Sequence, residues 1–173
     1  SVFFVVMGDV DAFMNVQAAH KCLREKRYLK AISFFEKAIT ASTNDDDKAT
    51  AFTNIGVCYV CLENLDEALI HFNVAIKLSP AYDFAHFNLG CLHGMKGDLE
   101  AAINEYSEGI SINPEYATAY VNKGVHLVDL ENLGGAKECF EKAVSLDPDN
   151  SRFYANLGKV CLLSRDFGEA LKY

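Results

Sequence analysis

One spacing runs through most of the sequence: residues of the same kind recur every 34 positions. Glycine, alanine, proline and asparagine keep this step, and so does one aromatic position. The positions are Gly56, Gly90, Gly124 and Gly158; Ala68, Ala102, Ala136 and Ala170; Pro80, Pro114 and Pro148; Phe72, Tyr106 and Phe140; and Asn54, Asn88, Asn122 and Asn156. Because several unrelated residue types keep one period, the sequence predicts an architecture built from a repeated unit of secondary structure.

Each unit has the pattern of a helix, a turn and a second helix. In residues 49–82, Phe52, Ile55 and Tyr59 recur at helical spacing. A second apolar stripe follows the polar stretch "ENLD" and consists of Leu65, Ala68, Leu69, Phe72 and Ala75. Pro80 ends this second helix, because proline lacks an amide hydrogen and restricts the residue before it.

The pattern predicts at least nine helices and no sheet. Antiparallel helix pairs are expected at 49–62 with 66–79, at 83–96 with 100–112, and at 117–130 with 134–146. The recurring Gly and Ala are small, which indicates that paired helices approach closely at those positions.

This pattern resembles the tetratricopeptide repeat family, whose unit of 34 residues carries an aromatic, Leu-Gly, Tyr, Ala, a second aromatic, Ala and Pro at fixed offsets. The resemblance implies an all-α fold, a right-handed α-solenoid of helix-turn-helix repeats that together form one domain. The expected parts are an apolar N-terminal segment at 1–11, a degenerate repeat at 12–45, repeats at 49–82, 83–116 and 117–150, and a truncated repeat at 151–173.

Departures from the pattern predict local differences. The step from the degenerate repeat is 37, and we expect the three extra residues in a polar turn, "STNDDDKA". Lys123 stands where a core Leu is expected, and Gly134 and Gly135 open a helix, so the repeat at 117–150 should be the least stable complete one. The last repeat stops within its second helix, and a solenoid end needs a cap. We expect further chain or a second chain to cover it.

Charge argues against nucleic acid as a partner. The formal net charge is −8; residues 1–40 contribute +2 and residues 41–173 contribute −10. Binding phosphates requires a basic field, which this chain lacks. The one basic run, "KCLREKRYLK" at residues 21–30, is typical of a solvated helix face, and a partner-binding role for it stays open.

The stretch "AHFNLGCLH" raises the question of a metal site, and Cys58 and Cys61 lie upstream. His86 and His93 are seven residues apart and share one helix face, whereas Cys91 points the other way, so the three cannot surround one ion. We expect buried histidines, inert thiols, no metal and no cofactor. Six unevenly spaced cysteines favour a reducing compartment, so a cytoplasmic location is expected, with attachment to a membrane or organelle surface only through partners. No apolar run is long enough to span a bilayer.

The four asparagines mark a candidate binding surface. The resemblance implies that the first helix of each repeat lines a concave groove, in which an asparagine ladder bonds the backbone of an extended peptide. The alternative is that Asn is only tolerated on an exposed face. The predicted groove residues are Asn54, Asn88, Asn122, Asn156, Thr53, Val57, Phe84, Phe87, Cys91, Val121, Val125, Arg152 and Lys159. Several groups of the carboxylate clamp of chaperone-binding members would stand at the positions that Thr53, Val57, Thr118 and Val121 occupy here, so a carboxylate clamp is not expected.

Two functions from different classes fit these observations. The first is a protein-interaction module that binds a partner peptide or helix in an apolar groove, with Phe84 and Phe87 as anchors. The second is a self-assembling scaffold, of the kind that coats an organelle or membrane surface (the magnetosome-associated type is an example), whose protomers dock into each other's grooves. An enzyme is not expected, since the sequence has no phosphate loop, nucleophile elbow or paired-carboxylate motif.

Overall fold

The computed structural model describes residues 2–165, with side chains from residue 10 onward. The end of the predicted truncated repeat, residues 166–173, lies outside the described residues. So do the side chains of most of the apolar N-terminal segment.

Nine α-helices and no strand make up the described part of the chain, which confirms the all-α repeat fold. The helices are α1 (Val2–Arg24), α2 (Tyr28–Ala41), α3 (Asp45–Cys61), α4 (Leu65–Leu78), α5 (Asp83–Lys96), α6 (Leu99–Ile112), α7 (Ala117–Asp129), α8 (Leu133–Leu146) and α9 (Ser151–Leu163). The bounds of the three predicted pairs agree with α3 to α8 within a residue or so, except at the start of α3.

Helix α3 begins four residues earlier than predicted, so the expectation of a polar turn through "STNDDDKA" is wrong for its second half. Asn44 caps the helix: its side-chain oxygen accepts hydrogen bonds from the backbone of Asp46 at 2.8 Å and of Asp47 at 3.4 Å. Three aspartates in the first turn suit the positive end of the helix dipole. Capping therefore turns the extra residues into helix.

Helix α1 runs without a break from Val2 to Arg24, so the apolar N-terminal segment and the first helix of the degenerate repeat are one element. On this helix Val10, Phe13 and Met14 are each more than half exposed.

Left-handed turn residues close the first helix of each pair. The positive φ angles are at Lys26, Glu63, Gly97, Glu131 and Arg165, which keep the sequence period. After each of the first four, the next backbone N–H bonds the carbonyl five residues back, as from Asn64 to Tyr59 at 2.9 Å. This is the bonding of a helix end that is closed by a left-handed residue. Only Gly97 takes this conformation without the steric cost of a side chain.

The chain divides into two compact units, Ser1–Leu92 and His93–Tyr173, with the boundary inside α5. In the first unit α1 packs on α2, α2 on α3, and α3 on α4; in the second, α7 packs on α6 and α8, and α8 on α9. Phe35, Ile55 and Cys58 belong to one core cluster of the first unit. A second cluster there joins Phe72 to Leu89 and Leu92.

Two of the recurring glycines, Gly56 and Gly124, are explained by aromatic rings of the second helix. A Cβ atom on Gly56 would lie 2.5 Å from the Phe72 ring, and one on Gly124 would lie 2.7 Å from the Phe140 ring. Both rings are fully or almost fully buried. Glycine is therefore required because a buried ring occupies the space that any side chain would need.

The second helix of the repeat at 117–150 has a glycine in its first turn that packs against no ring. Gly134 is exposed in α8, and a Cβ there would meet nothing within 4 Å. Lys123, in the place of a core Leu, is half-buried. Burial raises the pKa of the Cys139 thiol, and the Lys123 ammonium reduces that rise. That this repeat is the least stable complete one stays a prediction.

Two Gly→Ala changes in this repeat should act in opposite directions. Gly124→Ala forces a methyl group into the Phe140 ring and should cost about 1–3 kcal/mol of unfolding free energy. Gly134→Ala adds no clash and removes the entropic cost of a helical glycine, so it should gain up to about 1 kcal/mol. Urea unfolding followed by circular dichroism measures both, and changes of equal sign would contradict the packing explanation.

A substitution at Ala102 tests whether the recurring alanine lies at a close contact between helices. It is fully buried in α6. Ala102→Leu should lower the unfolding free energy by about 1–3 kcal/mol, because the larger side chain forces packed helices apart. Ala81→Leu, at an exposed turn residue, is the control. A melting temperature that does not change in Ala102→Leu would show that Ala102 lies at no close helix contact.

Candidate functional site

The asparagines of the first unit bond their own helices. Asn54 donates from Nδ2 to the Thr50 carbonyl at 2.9 Å, and Asn88 donates to the Phe84 carbonyl at 2.6 Å. These bonds fix the orientation of both amides on the helix surface. An amide nitrogen carries two hydrogens and the amide oxygen accepts, so each bond uses only part of the group's capacity.

A series of contacts links Asn54 to Asn88 within the first unit. Thr50, whose carbonyl accepts from Asn54, hydrogen-bonds the Tyr82 hydroxyl through its side chain. The Tyr82 ring contacts Phe84, with 6.3 Å between ring centroids. Phe84 stacks on Phe87 at 6.2 Å, with an interplanar angle of 15°.

This surface, which we call the aromatic surface, consists of Asn54, Tyr82, Phe84, Phe87 and Asn88. Phe84 is 36% exposed and Phe87 is half-buried. Burial raises the pKa of the Tyr82 phenol, so that group stays neutral and can donate a hydrogen bond at physiological pH. The surface therefore combines apolar rings with amide and hydroxyl groups.

Tyr82 was missed by sequence reasoning. It lies in the turn after Pro80, whereas the predicted site used only positions on the first helix of each repeat. The signal in the sequence was an aromatic residue in a short turn between two predicted helices.

Thr53 does not belong to an open surface, and its assignment to the groove is wrong. Its side chain is fully buried, and Oγ1 donates to the Ala49 carbonyl at 2.9 Å. The hydroxyl is thus satisfied within α3. Val57 is half-buried and packs against the Phe72 cluster, while Cys91 is partly exposed on α5.

The second unit brings other predicted residues together. Val125, Asn156 and Lys159 line a small cavity of about 40 Å³, together with Asp129. Val121 packs against the core cluster around Phe140. Asn122 is half-buried on α7, and Arg152 is exposed in the first turn of α9.

The histidine and cysteine stretch shows no metal arrangement. His86 is almost fully buried, and its Nε2 lies 3.1 Å from the Pro80 carbonyl oxygen. No group of three or more His, Cys, Asp or Glu that could hold an ion occurs among residues whose side chains are described.

Cys58 and Cys61 lie in different environments. Cys58 is fully buried, and burial, with a smaller effect of Cys61, raises the pKa of its thiol to about 12. Cys61 is exposed and lies within hydrogen-bonding reach of the Tyr28 side chain.

Alkylation should distinguish the two thiols. The thiolate is the reactive form, so a thiol with a pKa of about 12 stays protonated at pH 8 and unreactive. Iodoacetamide should modify Cys61 in the folded protein and leave Cys58 unmodified until urea unfolds the chain. Peptide mass spectrometry measures both sites; equal labelling of the folded chain would contradict the burial of Cys58.

No helix between residues 2 and 165 is both long enough and apolar enough to cross a membrane.

Family models match four stretches of the sequence. Three are described as tetratricopeptide repeat, at residues 11–81, 117–150 and 139–172, and one as TPR repeat, at residues 95–127. A relative from Arabidopsis thaliana, "Tetratricopeptide repeat domain-containing protein PYG7, chloroplastic", is 37% identical over 84 residues. That match covers 48% of this chain and 28% of the relative, so the chain spans little more than a quarter of that protein's length.

Solved structures share the fold at low sequence identity. MamA from Desulfovibrio magneticus has a TM-score of 0.78 at 22% identity, with 94% of this chain and 90% of that chain covered. PilF of Pseudomonas aeruginosa has a TM-score of 0.85 at 18% identity, covering 96% and 74%. The first TPR of Spaghetti (RPAP3), bound to the HSP90 peptide SRMEEVD, has a TM-score of 0.67 at 21% identity, covering 69% and 95%.

Proposed function

Because this chain belongs to the tetratricopeptide repeat family, which supplies protein-interaction modules, we propose that it binds an extended segment of a partner protein on the aromatic surface. The stacked, partly exposed pair Phe84 and Phe87 is the observation that carries this proposal. Large apolar groups exposed together at a surface mark interaction sites, and aromatic residues supply much of the binding energy in such sites.

The asparagines would add backbone recognition that does not depend on the partner's side chains. Each amide is held in place by its bond to the carbonyl four residues earlier, so little freedom is lost when a ligand binds. The remaining amide hydrogen and oxygen can bond one peptide group. This combination suits a segment with apolar side chains and an extended backbone.

The partner should differ in chemistry from an acidic C-terminal peptide. The RPAP3 repeat holds the peptide SRMEEVD. In this chain Val57 is apolar and Thr53 is buried with its hydroxyl satisfied, so neither offers a charged group to a carboxylate. We also propose that Val125, Asn156 and Lys159, which line one small cavity of the second unit, contact a partner segment.

Replacement of Asn54 and Asn88 tests the proposal. A randomised ten-residue peptide library is selected on the wild-type chain, and the affinity of enriched peptides is measured by fluorescence anisotropy. Asn54→Ala with Asn88→Ala removes at least one ligand bond each, worth about 0.5–1.5 kcal/mol apiece, so affinity should fall about tenfold. Phe84→Ala should also weaken binding through lost apolar contact, while circular dichroism stays unchanged.

Asn73→Ala is the matched control. Asn73 makes the same bond to the carbonyl four residues earlier, at 2.8 Å to Leu69, but lies exposed on α4. Its replacement should leave peptide affinity unchanged. Absence of enriched peptides, or equal affinity in the double variant, would show that the asparagines are only helix surface.

Light scattering on the same variants addresses the scaffold alternative. If Asn54→Ala with Asn88→Ala dissociates an oligomer to a folded monomer and no peptide is enriched, the aromatic surface serves self-assembly instead of a foreign segment.

A further inference from the structure

A larger cavity lies in the first unit between α1, α2 and α3. Its volume is about 310 Å³, in the range of ligand pockets. We call this cavity the α1–α3 pocket. The residues that line it are Ala12, Phe13, Val16, Ala38, Ser42, Asp47 and Thr50. Four of these seven are apolar, and Phe13 is 61% exposed at the cavity, so an apolar side chain would gain contact there.

Acidic groups border this pocket. Asp47 lines it, and Asp45 and Asp46 precede it in the first turn of α3. The one cation of that turn, Lys48, is paired with Asp45 at 3.2 Å. The pocket therefore suits an apolar side chain that has a cationic neighbour, and it disfavours an acidic segment.

The chain itself presents such a side chain. Leu29, in the first turn of α2, is 71% exposed, the largest exposed fraction among the described large apolar residues. Lys30 follows it directly and Lys26 lies three residues before it, and both are exposed. This segment, residues 26–30, lies within the basic run of the sequence.

Leu29 cannot reach the pocket of its own chain. Leu29 lies at the start of α2, whereas Ala38 and Ser42, which line the pocket, lie at its end. The helix has 14 residues, so at 1.5 Å per residue its ends are about 20 Å apart. A contact between these surfaces has to be intermolecular.

We propose that Leu29 of one copy inserts into the α1–α3 pocket of a second copy, with Lys26 and Lys30 facing Asp47. The two surfaces differ and lie at opposite ends of α2, so the contact is head-to-tail and can continue from copy to copy. It does not use the aromatic surface and does not rest on the proposed peptide binding.

Two variants that each disable one surface test this contact. Leu29→Asp removes the inserted side chain and Phe13→Asp disables the pocket; both residues are mostly exposed, so both variants should fold. Mass is followed by light scattering from about 10 µM to about 1 mM, where weak association is observed. The wild-type mass should rise beyond that of a dimer with concentration and fall with added salt, because the contact includes charge pairs.

Each variant alone should remain at the monomer mass of 19.1 kDa. Mixed in equal amounts, the two should form a dimer and nothing larger, because Leu29→Asp retains its pocket and Phe13→Asp retains its Leu29. Ile70→Asp, which places the same charge at a 55% exposed residue of α4, should assemble like the wild type. Asn54→Ala with Asn88→Ala should also assemble, which separates this contact from the proposed peptide site.

A wild-type chain that is monomeric throughout, a mixture that stays monomeric, or an Ile70→Asp variant with equal loss of mass would each overturn the proposal. If the wild type is monomeric and the pocket instead binds a library peptide with an apolar residue beside Lys or Arg, the occupant is a foreign segment and self-docking is wrong.

Discussion

The contact between a buried aromatic ring and a glycine is the constraint on which the helix pairs depend. Phe72 lies against Gly56, and Phe140 lies against Gly124, with each ring in the second helix of the pair and each glycine in the first. Because the ring fills the space of the missing side chain, the two backbones take one separation. The fully buried Ala68 and Ala136 extend this close approach along the second helix.

Turn geometry repeats along with this contact. A left-handed residue closes the first helix at Lys26, Glu63, Gly97 and Glu131, and the next N–H bonds back to a carbonyl of that helix. Because the packing contact and the turn bonds recur, the backbone has a similar conformation in each repeat. The repeats therefore differ mainly in their surface side chains. Phe84 with Phe87, and the triple aspartate of α3, are such differences.

The two surfaces of the first unit meet at Thr50. Its side chain bonds Tyr82 of the aromatic surface, and it also lines the α1–α3 pocket. The aromatic surface offers rings and amides, which suit an extended apolar segment, whereas the pocket is bordered by acid, which suits a cationic one. The two surfaces therefore differ in chemistry although they share Thr50, and the acidic border is on the pocket side.

The sequence by itself determined the fold class and the helix pairs, because the 34-residue period records contacts that every repeat has to make. Local capping by Asn44 moved the start of α3 away from that period, since its side chain accepts hydrogen bonds from two backbone N–H groups that have no partner within the helix. Only the tertiary structure decided which side chains are buried and which distant residues meet. It buried Thr53, and it brought the Tyr82 hydroxyl to the Thr50 side chain of α3. The bonds of Asn54 and Asn88 and the stacking of Phe84 on Phe87 lie within single helices. The burial of Thr53 and the Tyr82–Thr50 bond instead depend on which elements pack together, and the spacing within one helix does not specify that.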